Sequence, residues 1–516
     1  MTIEQILNFA RSQVAAGNLD QAAAAFERAA ELEPKDCSLL NDWGVCLAKQ
    51  GKLDRAIALF KRTLRNDAHW AAAHKNLIFA LTQQRKPTEA EAAARTWIEI
   101  EPNCVDAINQ LGILLAGNGR VTDAMDCWMR ALKLAPADAD ANANLGLALA
   151  KLDRHEEAIA PLQQAVAARP GSVDFLCKLG SSFVDLHRYD QARSAFDRAL
   201  AIQPDNAMAR GKRALLALLT GDFATGWRDY EWRWKEKDFP HNRRYAHTPL
   251  WTGSDISGKT ILLHSEQGLG DSIQFVRYAP LVAQRGAKVL LQCQPEVVSL
   301  LEKVEGVSEI VSDEQTPPRF DVQCPLMSLP LAFGTTVSTI PATVPYLTAE
   351  AAIVERWRPR LAAAGKRKIG LVWAGRPTHR KDRARSIPLA AFTPLAALSD
   401  VQFFALQKGP AESEARTPPA GMQLVSLGPD LNDFLDTAAV IKQLDLLISV
   451  DTAVVHLAGA MNKPVWTLLP SVNDFRWLRD RDDSPWYPSM RLWRQTTGGD
   501  WSNVIDRLAA ELNNRR

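Results

Sequence analysis

Asp271 lies in the run Thr260-Ile-Leu-Leu-His-Ser-Glu-Gln-Gly-Leu-Gly-Asp-Ser-Ile-Gln274, where a short apolar segment breaks on Gly268 and Gly270 and resumes at helical spacing through Ile273-Gln-Phe-Val-Arg-Tyr278. The pattern predicts strand, tight turn, helix. Such turns sit at the C-terminal edge of a parallel sheet, where open α/β folds take ligands and helix N-termini favour anions. A carboxylate in that turn repels a phosphate but can accept a proton from a substrate hydroxyl. Equally, it can do no more than interact favourably with the helix dipole.

The run Ser449-Val-Asp-Thr-Ala-Val-Val-His-Leu-Ala-Gly-Ala460 repeats the strand, turn and helix, with Asp451 and Thr452 at the helix mouth. Backbone N–H groups there, with the Thr452 hydroxyl, suit a pyrophosphate. His456 falls four residues later on the same helix face, where a histidine is more often packed than functional. Upstream, Trp373-Ala-Gly-Arg-Pro-Thr-His-Arg-Lys-Asp-Arg-Ala-Arg-Ser386 leaves a strand end and gathers five cations, Arg376, Arg380, Lys381, Arg383 and Arg385. Leu406-Gln-Lys-Gly409 ends the next strand with Lys408. A diphosphate needs cations at such an edge, although a merely solvated loop has the same composition. Asp480-Arg-Asp-Asp483 has the spacing of a metal-binding carboxylate pair, but it lies in an irregular segment between Trp477 and Trp486, and no metal is expected there. Gly268 and Gly270 lack the third glycine of a dinucleotide fingerprint.

Short apolar runs alternating with helical patterns must position these groups. Thr260–His264, Lys288–Gln292, Ser308–Val311 and Phe320–Gln323 read as strands of one parallel α/β unit. After a polar crossing the pattern restarts with strands at Lys368–Trp373, Val401–Leu406, Met422–Ser426, Leu444–Val450 and Lys463–Leu468, and a helix over Asp500–Asn513 closes the chain. Two such halves in tandem imply a cleft between them. Ser484-Pro-Trp-Tyr-Pro488 either lines the cleft or, as the favoured expectation, pins the terminal helix back onto the first half.

The first two hundred residues are periodic. Pro102, Pro136, Pro170 and Pro204 are 34 apart, with Pro34 two periods earlier. The same step aligns Gly44, Gly112, Gly146 and Gly180 with Ala10 and Ile78, and Phe26, Phe60, Trp128, Leu162 and Phe196 with Ala94. Each unit reads as two helices crossing at a small residue, with proline closing the second. No unit buries its own apolar face, so neighbours stack into a superhelix with a concave surface. Asn41, Asn76, Asn109, Asn142 and Asn144 fall on first helices, where they are either donors to a bound backbone or solvated. Trp227-Arg-Asp-Tyr-Glu-Trp-Arg-Trp234 is too aromatic for a free linker and reads as a cap wedged against the following domain, with carbohydrate stacking second.

Balanced charge, 61 basic against 59 acidic residues, excludes a global pull toward nucleic acid or anionic membrane. The seven scattered cysteines contain no C-x-x-C pair, and the N-terminus shows no basic and apolar leader, so reduced thiols and a cytoplasmic location are expected.

The 34-residue units resemble the tetratricopeptide family. Gly268-Leu-Gly-Asp-Ser272 and Val450-Asp-Thr-Ala-Val-Val-His-Leu-Ala-Gly459 resemble the heptosyltransferase-like GT-B glycosyltransferases of family nine, and the whole chain resembles bacterial fusions of the two, some of which glycosylate flagellin or other proteins. The resemblance implies an α-solenoid followed by a GT-B fold of two Rossmann-like halves. Its expected divisions are six repeats over 1–206, a junction over 207–250, an acceptor-side half over 251–348 and a nucleotide-sugar half over 349–516. It also implies an inverting, metal-independent transfer from a nucleotide sugar, without cofactor, to a protein serine or threonine held by the repeats. A lipopolysaccharide or other glycan acceptor and a non-catalytic scaffold are the alternatives. Asp271 matches the family's base. Gln267, Gly268, Gly270, Trp373, Gly375, Arg376, Arg383, Arg385, Ser386, Gln407, Lys408, Asp451, Thr452 and His456 are the residues expected around the nucleotide sugar. Arg385-Ser-Ile-Pro388 only loosely matches the family's phosphate-binding lysine, leaving Arg383, Arg385 and Lys408 open as the phosphate cation.

Overall fold

A computed structural model describes residues 2–236, 239, 244–379 and 381–514. Part of the expected junction over 207–250, and Arg380 of the cationic loop, therefore lie outside the described residues. The chain divides into two compact units, Met1–Gln203 and Pro204–Arg516. Among the described residues no helix is long and apolar enough to cross a membrane.

The first unit is an α-solenoid of helix pairs: Ile3–Ala15 with Leu19–Leu32, Cys37–Lys49 with Leu53–Asn66, Ala71–Gln83 with Pro87–Ile100, Val105–Gly117 with Val121–Leu134, Ala139–Lys151 with His155–Ala168, and Val173–Asp185 with Tyr189–Ile202. The aligned glycines are where each pair crosses. A Cβ on Gly44 would fall 2.5 Å from Phe60, on Gly112 2.5 Å from Trp128, on Gly146 2.6 Å from Leu162 and on Gly180 2.4 Å from Phe196. In the third repeat Ile78 and Ala94 exchange the large and small roles, and both stay buried. Several first helices start on a side-chain cap two residues after the closing proline, Asp36 to the Leu39 N–H, Asp138 to Ala141 and Ser172 to Phe175.

Four of the five asparagines considered for a bound backbone are used inside the array. Asn76 donates to Asn41 at 2.9 Å, Asn109 to Asp138 at 3.1 Å, and Asn142 to the Pro136 and Asp138 carbonyls, each at 2.9 Å. Their amides are structural because each lies near enough to a neighbouring loop or helix to satisfy a buried polar group.

The second unit begins with a further pair, Ala207–Leu219 and Phe223–Tyr230, continued by a short 3-10 turn, Glu231–Lys235. The fading periodicity thus still encodes a helical hairpin. Two sheets follow. The first has strands β1 (Thr260–His264), β2 (Lys288–Cys293), β3 (Val307–Ser312) and β4 (Val322–Pro325), all parallel in the order β3-β2-β1-β4. The second has β5 (Arg367–Val372), β6 (Val401–Ala405), β7 (Leu424–Ser426), β8 (Leu446–Val450), β9 (Val465–Leu469) and β10 (Met490–Arg494), parallel in the order β10-β9-β8-β5-β6-β7. β10 is absent from the expected strands. It pairs with β9 at the sheet edge, its register running from Met490 opposite Val465 to Arg494 opposite Leu469.

Both orders reverse once, between β1 and β4 and between β5 and β8. Loops leaving adjacent strand ends there diverge and open a crevice. The loops after β1, β5 and β8 carry Asp271, the cationic run and Thr452, while Gln407 and Lys408 follow β6. The terminal helix, Ser502–Asn514, buries Val504, Ile505, Leu508 and Leu512 in the core of the second sheet beside Trp493 and Phe392. It is therefore not pinned to the first half as expected. Instead, the Ser484–Pro488 segment itself reaches across: Arg277 donates to the Trp486 carbonyl at 2.7 Å, and Trp486 meets Phe275 edge-on at 5.6 Å.

Trp227 does act as the wedge. It is 2% exposed and packs edge-on against Phe223, Tyr230, Phe275 and Phe475 at 5.7 to 6.1 Å. Buried in this way, it offers no face to a sugar.

Candidate functional site

Asp271 lies in the first turn of the short helix Leu269–Phe275, hereafter the Asp271 helix. Its Oδ2 accepts from the Gly268 N–H at 2.8 Å, closing the turn that follows β1. Facing it is the helix Ala453–Ala460, the His456 helix, which follows β8. The two pack at Gly270, where a Cβ would fall 2.9 Å from the His456 ring and 3.4 Å from the Ala453 Cα. A glycine is required by that approach. The structure thus brings the two strand-turn-helix motifs face to face, one from each sheet.

Around the second switch point the loops hold one another. Arg385 donates from Nη1 to the Asp451 carbonyl at 2.9 Å and pairs through Nε with Asp382 at 3.3 Å, joining the loop after β5 to the loop after β8. Gly375 donates to the Ser386 hydroxyl at 2.9 Å, and a Cβ there would meet Arg385 at 2.5 Å. Gln407 accepts from the Trp373 and Ala374 N–H groups, each at 2.9 Å, and donates to the Ala374 and Lys408 carbonyls at 3.0 and 2.8 Å. Lys408 donates to the Gly428 and Leu431 carbonyls, both at 2.9 Å. Trp373 is fully buried in the core of the second sheet. Trp373, Gln407, Lys408 and Arg385 therefore make contacts within the protein that shape these loops. The reason is that buried polar groups close on the nearest backbone. Arg376, Lys381 and Arg383 are exposed and make no ion pair among the described residues, so they are cations of this loop that an anion can reach. Thr452 caps the His456 helix without committing its hydroxyl to it, so the first-turn N–H groups have no side-chain acceptor.

Sequence reasoning missed the group that completes the site. Arg476, in the segment after β9, forms an ion pair with Asp271 Oδ1, pairs with Asp474 at 2.8 Å and donates to Gln274 Oε1 at 2.8 Å. The only local sign was a polar Asn473-Asp474-Phe475-Arg476 run following an apolar strand. Burial raises the Asp271 carboxyl above the usual carboxylate range, and Asp474 adds to this, while Arg476, the Gly268 N–H and His379 act against it. Burial and Asp474 push Asp451 up to about 6, opposed by the Trp477 indole N–H at 2.9 Å and by Arg385 and Arg476. A half-buried carboxyl whose pKa is raised is a candidate proton acceptor.

His456 is a packed, neutral ring. It stacks on Trp477 at 5.3 Å, lies with Nδ1 3.1 Å from the Tyr487 hydroxyl, and is pushed down to about 3 by burial and by Arg476 and Arg277. Its folded pKa lies below the unfolded value of about 6.5, so the unfolded chain binds the extra proton and stability falls with acid between about pH 6.5 and 3. The expected contribution is about 1.4 kcal/mol per pH unit. His456→Gln should flatten that part of a urea-unfolding series measured against pH.

The Asp480–Asp483 carboxylates are occupied locally: Asp483 pairs with Arg481 at 2.6 Å and Asp480 with Arg479 at 3.1 Å. Among the described residues no cluster of three histidine, cysteine, aspartate or glutamate side chains has metal-binding geometry.

Residues 399–492 match glycosyltransferase family 9 (heptosyltransferase), a stretch that includes Thr452 and His456 but not Asp271. Residues 7–70, 47–112, 109–173 and 177–226 match tetratricopeptide repeats. The chain is 26% identical over 335 residues to Protein FlbA of Caulobacter vibrioides, covering 60% of this chain and 55% of that protein, so it spans about half the length of this curated relative. Among solved structures it is similar to YrrB, a repeat protein with an unusual peptide-binding site, at 24% identity and a TM-score of 0.28, covering 36% of this chain and 96% of that one. It is also similar to a tetratricopeptide repeat protein from Parabacteroides merdae at 15% identity and a TM-score of 0.37, covering 44% of this chain and 91% of that one. The chain thus joins tetratricopeptide repeats in its N-terminal region to a glycosyltransferase family 9 (heptosyltransferase) domain in its C-terminal region.

Proposed function

We propose that the chain is an inverting, metal-independent glycosyltransferase of GT-B type that moves a sugar from a nucleotide sugar to a hydroxyl, most simply a serine or threonine of a protein held by the repeats. The observation that carries this reading is the packing of the Asp271 helix, at Gly270, against the His456 helix, whose first-turn N–H groups have no side-chain cap. In the proposed step the acceptor oxygen attacks the anomeric carbon as its proton passes to Asp271. The bond from that carbon to the phosphate oxygen breaks, and its electron pair leaves with the nucleotide. The Thr452 end of the His456 helix, with Arg376 and Arg383, offsets the charge that develops on the diphosphate.

The test is a panel of ADP-, GDP-, UDP-, dTDP- and CMP-sugars, read first by thermal stabilisation and then by nucleotide release with and without EDTA. One nucleotide should stabilise the chain, by about 2.7 kcal/mol at a hundredfold excess over Kd. Turnover should be indifferent to the chelator. Binding without release would favour the non-catalytic scaffold.

The protein-acceptor reading draws on the repeats. Phe79 and Ile113, 58% and 44% exposed, occupy the same first-helix position 34 residues apart, in line with Val45 and Leu147. Large exposed side chains at one register make an apolar stripe suited to an extended segment. Phe79→Asp combined with Ile113→Asp should weaken acceptor-protein binding at least about tenfold, or about 1.4 kcal/mol, by calorimetry, and leave nucleotide-sugar binding unchanged. Unaltered transfer by this variant would favour a glycan acceptor.

A further inference from the structure

We infer that Arg476 is the positioning residue for Asp271, so that a side chain from the second lobe keeps the proposed base of the first lobe ionised and aimed. The inference rests on the glycosyltransferase reading and deepens it. Arg476 is nearly buried, its side chain 9% exposed, and its guanidinium is engaged on every edge: Nε on Gln274 Oε1 at 2.8 Å, Nη1 on Asp474 at 2.8 Å, Nη2 on Asp271. Its Cζ lies 4.5 Å from the Phe475 ring centroid and 5.7 Å from that of Phe275. Asp271 and Gln274 belong to the Asp271 helix of the first lobe, whereas Arg476 and Asp474 follow β9 of the second.

A guanidinium locked between two carboxylates, an amide and two rings has one orientation, and it imposes one on the Asp271 carboxylate. Oδ2 is fixed by the Gly268 N–H at 2.8 Å and Oδ1 by Arg476, so the carboxylate plane is set from both lobes. The other groups facing Asp271 do not replace this contact. Asp474 is acidic and opposes its ionisation, Asp271 in turn raises Glu266, and His456, on the helix packed against Gly270, is neutral. His379 acts in the same direction as Arg476 but as a weaker influence. Lys381 acts on Asp474. Without Arg476 the carboxyl keeps its burial and loses its principal counter-charge, so it holds its proton to higher pH.

The test compares Arg476→Ala, Arg476→Lys and Asp271→Asn in the full chain, with folding checked by circular dichroism. A substrate-free readout is the protonated-carboxyl infrared band that titrates in the wild type and is lost in Asp271→Asn. That band should titrate about 1–3 pH units higher in Arg476→Ala, with Arg476→Lys between. The kinetic readout is the acid limb of kcat/KM for release of nucleotide from whichever ADP-, GDP-, UDP-, dTDP- or CMP-sugar the wild type turns over. It should move up by the same amount, while KM for that donor changes less than twofold. A purely structural arginine would lower stability and leave both titrations in place, which overturns the inference, as would a rise in donor KM alone. If Asp271→Asn itself transfers normally, the glycosyltransferase base is wrong. If Asp271→Asn is inactive and the Arg476 variants titrate as wild type, only the present inference fails.

Discussion

Asp271→Asn should reduce kcat for sugar transfer by about 10²- to 10⁴-fold, the usual yield of a positioned general base, equivalent to roughly 3–5 kcal/mol of barrier. The substitution suits the question because it is isosteric. The Asn carbonyl oxygen still accepts from the Gly268 N–H, so the turn after β1 keeps its closing bond. Arg476 keeps Asp474 and Gln274 as partners, so the guanidinium is not stranded. What disappears is the proton acceptor. Donor binding, assigned to the His456 helix, should be unchanged in the nucleotide stabilisation assay, and the melting temperature should fall, because the Asn amide N–H group then faces the Arg476 guanidinium in place of a carboxylate oxygen. Wild-type transfer by this variant with the fold intact would end the assignment of Asp271 as base.

The largest stability effect is expected just before the turn that carries Asp271, at Arg233. This side chain is 4% exposed and grips Glu266, itself 3% exposed, through two N–H···O bonds of 3.1 Å. It also donates to the Tyr230 carbonyl, to Glu231 and to the Ser328 hydroxyl, at 3.0, 2.7 and 2.8 Å. Burial already pushes Glu266 up to about 7 with this partner in place. Arg233→Ala would leave that carboxyl buried without a counter-charge, at a cost of about 3–5 kcal/mol. Replacing the pair together, as Arg233→Met with Glu266→Leu, should restore most of the loss, because two desolvated charges are removed along with their attraction. Urea unfolding followed by tryptophan fluorescence distinguishes these outcomes. Equal destabilisation by the single and double changes would mean that packing, not charge, is what Arg233 supplies.

Arg233 also joins the aromatic hairpin to the turn that carries Asp271. Glu266 is followed by Gln267, whose amide donates to the Tyr230 hydroxyl at 2.6 Å, and Gln294 holds the Gln267 carbonyl at 2.7 Å. The Trp227–Trp234 segment therefore serves as the mounting for the front of the site.

Much of this arrangement is legible along the chain because its causes are local. A 34-residue period states where helices cross, since only a small residue at Gly44 or Gly180 leaves room for Phe60 or Phe196. An apolar run, a glycine break and a resumed helical spacing state that Asp271 and Thr452 stand at strand ends, because strand and helix periodicities are written in neighbouring residues. The same reasoning could not give β10, whose Met490-Arg-Leu-Trp-Arg494 becomes a strand by pairing with β9, nor the true seat of the terminal helix. It also could not tell which cations are free. Lys408 and Arg385 differ from Arg376 and Arg383 only in the carbonyls and carboxylates that the folded loops bring within reach. The partner of Asp271 lies 205 residues further on, and no periodicity links two positions that meet only when separate sheets pack. Residue types and their local spacing determined the elements and the candidate chemistry. Tertiary packing alone decided which charges meet, because an ion pair depends on a few ångströms of three-dimensional distance that spacing along the chain does not specify.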